Sequence, residues 1–167
     1  MTGSRPEELR RAFDRAFSEP PVVTEESEPL LAFRVAEAAL TFRLAEIAGL
    51  FAERTVVPLP SHAREFLGIL VLRRDVVPVY SLRALLGHTM TVGPPRWLVL
   101  ARAAKVAFAF DEFDGYLRVP VSAFLLAEGD DVRKHAPAAV QHGDGRRGVV
   151  SVEALIATIK DRCGGRV

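Results

Sequence analysis

The chain has 167 residues, 49% of them apolar, and 22 basic against 21 acidic side chains give a net charge of +1. That size and apolar content suit one compact domain, or two small lobes sharing a core, and the lone Cys163 beside Gly164 and Gly165 excludes an internal disulfide. Acids and bases are interspersed, with no basic surplus for phosphates; runs such as Leu67–Leu72 are too short to cross a bilayer, and the polar N-terminus lacks a signal-peptide core. No nucleic-acid partner and no membrane insertion are expected, and the cytoplasm is the expected compartment.

Residues 1–28 read as a unit apart. Ser4, Pro6 and Glu7 form a helix start with a capping box, and Leu9, Phe13 and Phe17 then recur every four residues beside Ala12 and Ala16. Arg10, Arg11, Asp14 and Arg15 take the other side, and Pro20 and Pro21 end this short amphipathic helix. Thr24–Glu28 is an acidic linker. The apolar stripe either packs on its own domain or docks on a partner.

From Leu30 the period changes to that of short strands. Leu30–Val35 and Ala39–Leu44 flank a turn at Glu37, and Ile47–Phe51 and Thr55–Pro58 continue the pattern until Pro58 and Pro60 interrupt it. Leu67–Leu72 and Val76–Tyr80 flank Arg73, Arg74 and Asp75, a charged pivot between apolar runs that reads as a hairpin. Ser81–Leu86 makes a helical turn or two, closed by Gly87.

Thr91–Pro95 is a loop by composition and marks a boundary between lobes of about 30–90 and 95–152, inside a domain of 29–162. Trp97–Ala101, Lys105–Phe110 and Phe113–Val119 read as three more strands, and Trp97 as core at the lobe junction. Asp130–Gly148 is polar and aperiodic, Gly148–Val152 is a short strand, and a terminal helix then carries Leu155, Ile156 and Ile159 on one face. Many short strands and few helices predict a mainly β fold of small closed barrels, which leave no exposed sheet edge.

The stretch Gly68-Ile69-Leu70-Val71-Leu72-Arg73-Arg74-Asp75-Val76-Val77-Pro78-Val79-Tyr80-Ser81-Leu82-Arg83 resembles the signature of CheW-like domains. That family reads Gly, two apolar residues, Asn, Leu, Arg, Gly, a variable residue, two apolar residues, Pro, two apolar residues, Asp, Leu, Arg. Gly68, Leu72, Arg73, Pro78, Leu82 and Arg83 match, while Val71 replaces the Asn, Arg74 the Gly and Ser81 the Asp. Leu31–Val35, Leu44–Ile47, Leu59-Pro60, Val106–Asp111 and Val149–Leu155 resemble other family segments, with Ala107 for a usual Gly and Phe110 for a Val. The likeness spans about 30–157 and is stronger in the first lobe.

The resemblance implies two five-stranded β-barrels around a shared hydrophobic core, no catalysis and no cofactor. It further implies a cytoplasmic scaffold that bridges a chemoreceptor's signalling tip to the regulatory domain of a CheA-type histidine kinase. A divergent member could keep only one of these partners. Arg73 falls where the family contacts receptors, and a turn arginine can bond carbonyls at a barrel end or grip a partner carboxylate. Arg74 stands where a Gly would allow positive φ. Ile47, Leu50, Phe51, Val56 and Val57 either pack in the core or form an apolar docking surface, as the family's exposed strand ends do.

Against an unrelated barrel enzyme or ligand-binding domain stand several absences in the sequence. No Gly-rich phosphate loop and no nucleophile elbow is present, and His62, His88, His135 and His142 are scattered without metal-ligand spacing. The acids Asp111, Glu112 and Asp114 after a strand read as a solvated turn rather than a metal site. A deep polar pocket with perturbed titrating groups would favour the enzyme.

Overall fold

The computed structural model describes residues 26–90, 93–126, 134–143 and 145–163, so the amphipathic segment expected within residues 1–21 lies outside the described residues. Among the described residues, eleven strands and two α-helices follow one another. Strands β1 (Ser27–Val35) and β2 (Ala38–Arg43) form a hairpin, and a 3₁₀ turn at Leu44–Glu46 leads to β3 (Ile47–Ala52). Then come β4 (Phe66–Leu72), β5 (Asp75–Ser81), the single-turn α1 (Leu82–Leu85), β6 (Trp97–Ala101) and β7 (Ala107–Phe110). Strands β8 (Glu112–Pro120), β9 (Phe124–Leu126), β10 (Ala138–His142) and β11 (Gly145–Val150) precede α2 (Val152–Cys163).

The fold is mainly β, as expected, in two sheets. One has six strands in the order β8-β1-β2-β11-β10-β9, the other five in the order β3-β6-β7-β5-β4. Each contains one parallel pair, β2 with β11 and β5 with β7, among antiparallel neighbours. The recorded strand orders are open. In the five-stranded sheet, the segment after β3 returns to β4 at a single bridge between Val57 and Ile69, which ties the two ends of that sheet together.

Chain order does not divide the lobes. The expected cut near residues 91–95 falls inside the five-stranded sheet, whose strands run from Ile47 to Phe110. The N-terminal hairpin belongs instead to the C-terminal strands: β1 pairs with β8 from Ser27↔Pro120 to Arg34↔Glu112, and β2 runs parallel to β11. One lobe is therefore inserted in the other. Local periodicity carries no information about which distant strand completes a ladder, so this split was not legible.

Alternation along the strands sorts side chains into separate cores. Leu31, Phe33 and Phe42 from the six-stranded sheet meet Val99, Phe108 and Phe110 from the five-stranded one, with Leu155 and Ile159 of α2 over them. Phe33 and Phe42 stack with ring centroids 4.5 Å apart. Leu70, Val77, Val79, Leu98, Ala107 and Ala109 fill the inserted lobe, and Leu30, Val119, Val140 and Val149 fill the split one. Trp97 packs half-buried against the shared core, as its place at the lobe junction required.

Within the segment that read as aperiodic, β10 and β11 pair from Ala138↔Val149 to His142↔Gly145. Their polar residues sit at the exposed end of the hairpin, where no core demands alternation. Thr55–Pro58, conversely, contributes only the bridge at Val57.

Candidate protein interaction surface

The β4–β5 hairpin carries the signature stretch, and its register explains each residue. Leu72 pairs with Asp75, leaving Arg73 and Arg74 as a two-residue turn. Positive φ falls on Arg73, at 56°, and not on Arg74 where the family's glycine had placed it. This sign pattern matches the first central position of a II′ turn, one of the two forms whose twist suits a two-residue hairpin. Both arginines are exposed, and neither has a hydrogen bond or ion pair among the described residues.

Gly68 is demanded by a close approach. Its φ is +139°, and a Cβ there would come 2.1 Å from the Val57 carbonyl oxygen, which accepts the Ile69 N–H at 2.9 Å. Pro78 lies opposite Ile69, and the pairing of β5 with β7 begins one residue later at Val79, so its missing N–H breaks no recorded rung on that side. Ser81 caps α1 by accepting the Ala84 N–H at 3.2 Å, a task the family's Asp would perform equally.

Arg83 closes the motif from within. Its Nη1 donates to Asp111 Oδ2 at 2.7 Å and its Nε to the Thr89 carbonyl at 2.6 Å. The same Asp111 oxygen accepts the Ala36 N–H at 2.7 Å, so one carboxylate joins α1 to the β1–β2 turn of the other lobe. Asp114 is likewise engaged: Arg34 Nε lies 3.3 Å and Arg147 Nη1 2.8 Å from its Oδ2. Two of the three acids that read as a solvated turn, Asp111 and Asp114, thus make inter-lobe and inter-strand ion pairs, while Glu112 is exposed. A crevice of about 400 Å³ between the lobes is lined by Glu37, Leu67, Arg83, Met90 and Asp111 among others, and that ion pair spans its wall.

The outer face of the hairpin is apolar. Val77 and Val79 point into the inserted lobe with Leu70, so Val71 and Val76, directly opposite each other, point out, as do Ile69 and Pro78. Val71 is 59% and Val76 58% exposed, and Val57 joins them through its bridge to Ile69. A continuous strip of Val57, Ile69, Val71, Val76 and Pro78 therefore leads to the two free arginines. Beside the turn, Lys105 Nζ pairs with Asp75 at 2.7 Å, both exposed.

Of the seven residues singled out from sequence, Arg73, Arg74 and Val57 share this surface. Ile47 does not: it is 5% exposed, pairs with Ala101 at a bulge and belongs to the shared core, which corrects its reading as a contact residue. Leu50 packs half-buried on the shared core, while Phe51 and Val56 pack on the core of the inserted lobe, with Arg54 over the Phe51 ring. Val71 and Val76 were missed because the unbroken apolar runs around them hide which alternate positions face outward. One signal was present: the family places a polar Asn where Val71 stands, and polar residues favour the wet face.

Two β sheets share one core, and an apolar strip on one of them leads to two exposed arginines. The CheW-like domain family matches residues 29–160, most of the chain, and the chain belongs to that family, whose setting is chemotaxis signal transduction. The scaffolding protein TtCheW from Thermoanaerobacter tengcongensis has the same fold, with a TM-score of 0.71 at 12% identity over 78% of this chain and 92% of its own. No curated protein matches the sequence.

Proposed function

We propose that this chain is a non-catalytic, cytoplasmic coupling protein that joins the signalling tip of a chemoreceptor to the regulatory domain of a CheA-type histidine kinase. Membership of the CheW-like family supports that class of partner. The observation that carries the placement is the strip of Val57, Ile69, Val71, Val76 and Pro78 ending in two exposed arginines that have no partner among the described residues. Exposed apolar surface on a small domain marks an interface, and a free guanidinium at its end offers a planar fork to a partner carboxylate.

Arg73→Glu tests this with little risk to the fold, because the side chain is exposed with no hydrogen bond or ion pair among the described residues, and the backbone strain of a non-glycine residue is unchanged. The variant is expected to keep its circular dichroism and melting temperature yet lose the receptor fragment in a pull-down. Truncating one partner of a buried interfacial charge pair commonly costs about 2–5 kcal/mol, and reversal adds repulsion. A folded Arg73→Glu that retains receptor and kinase fragments as the parent does would remove the arginine from the interface.

A further inference from the structure

A second apolar surface lies at the far edge of the six-stranded sheet. Among the described residues strand β9 is the end of that sheet, and successive strand residues face opposite sides, so Leu125 and Leu126 show a leucine on each face. Leu126 is 83% exposed, Leu125 48%, and Val121 in the preceding 3₁₀ turn 51%. An edge strand this apolar invites unwanted pairing unless something covers it.

The described fold begins at this spot. Glu26, the first described residue, accepts the Val121 N–H through its carbonyl at 2.8 Å, and β1 then starts opposite Pro120. The described fold therefore begins, at Glu26, beside the exposed edge. The sequence of residues 1–25 holds Leu9, Phe13 and Phe17 at the four-residue spacing that a helix aligns on one face. From residue 17 to residue 26 the chain can reach at most about 30 Å, enough for Phe17 to meet β9 but a short leash elsewhere. A tether of this length gives an effective concentration on the order of millimolar, so even weak apolar affinity suffices.

We propose that the N-terminal segment seats Leu9, Phe13 and Phe17 on Val121, Leu125 and Leu126 of the same chain, covering the β9 edge and withholding it from other partners. The occupant is this segment and neither a second copy nor another protein. The idea stands apart from the hairpin surface, which lies on the other lobe.

The test uses the full chain carrying Cys163→Ser, with a nitroxide at Ala16→Cys and methyl-labelled leucine and valine. The nitroxide is expected to broaden the methyl signals of Leu125 and Leu126 and to leave those of Val71 and Val76 sharp. A matched chain with Phe13→Asp and Phe17→Asp keeps the tether but not the stripe, and should lose most of that broadening. Both changes lie outside the described fold, so the comparison does not depend on refolding. Broadening equal in the two chains, or none at β9, overturns the proposal. So does broadening that arises only when a spin-labelled chain is mixed with a separate methyl-labelled one, which would make the occupant a second copy.

Discussion

Arg73 has one property that its neighbour does not share. It has φ of 56° while Arg74 stays on the ordinary side, although the family signature places its glycine at the second of the two positions. A left-handed residue other than glycine costs roughly 1–2 kcal/mol, so Arg73→Gly should stabilise the fold by up to about 1 kcal/mol after glycine's own entropic cost. Arg74→Gly relieves nothing and should cost about 0.5–1 kcal/mol. Parallel thermal melts of the two variants check this, and the opposite order of stabilities would place the strain on Arg74. The turn and its two charges were legible from Leu72 to Val76, but which arginine bears the strain was not. That is decided by the pairing of Leu72 with Asp75, a matter of register rather than residue type.

Helix α2 is docked by contacts of quite different kinds. Glu46 Oε2 accepts the Val152 N–H at 2.8 Å and Ser151 Oγ the Ala154 N–H at 3.2 Å, so the first turn is capped from two sides. Leu155 and Ile159 enter the shared core, as their spacing had announced. His135 is 6% exposed beneath the helix, with Nε2 2.9 Å from Thr158 Oγ1. Thr158 Oγ1 also lies 3.0 Å from the Ala154 carbonyl; with its proton donated there, it accepts from an imidazole hydrogen on Nε2. A lone histidine in a polar stretch gives no sign of such burial, because the partner strand and the helix arrive from elsewhere in the chain.

The same geometry makes a pH dependence. Burial lowers the His135 pKa from its ordinary 6.5, and the charges of Lys134 and Arg162 lower it further, Arg162 itself being paired with Glu65 at 3.2 Å. The unfolded chain then binds the extra proton first as pH falls. Stability from this group is fully present above pH 6.5 and lost as pH drops through the folded pKa. Denaturant melts between neutral and acid pH should show that decline, and His135→Gln should flatten it. An equal slope in the variant would assign the decline to other groups.

At the scale of the molecule, the fold places two lobes on one core while giving each its own interior. Strand content, the hairpin at Arg73 and Arg74, and the terminal helix were all readable, since each follows from local periodicity or turn chemistry. The insertion of one lobe in the other was not, because β1 finds β8 and β2 finds β11 across the whole sequence. The burial of Ile47 and the exposure of Val71 follow from that topology too. Continuous apolar runs look alike whether one face or both are covered.

A scaffold works by holding two partners at once, and that is the claim to test. Receptor signalling domains displayed on vesicles, a soluble kinase regulatory domain and this protein can be mixed and sedimented. The kinase domain is expected to pellet only when the protein is present, and Val71→Asp with Val76→Asp, both at exposed positions, should abolish its recruitment while leaving the fold intact. If the kinase domain stays in the supernatant with the parent protein, or pellets equally with the doubly charged variant, the coupling function or its placement on the β4–β5 hairpin is wrong.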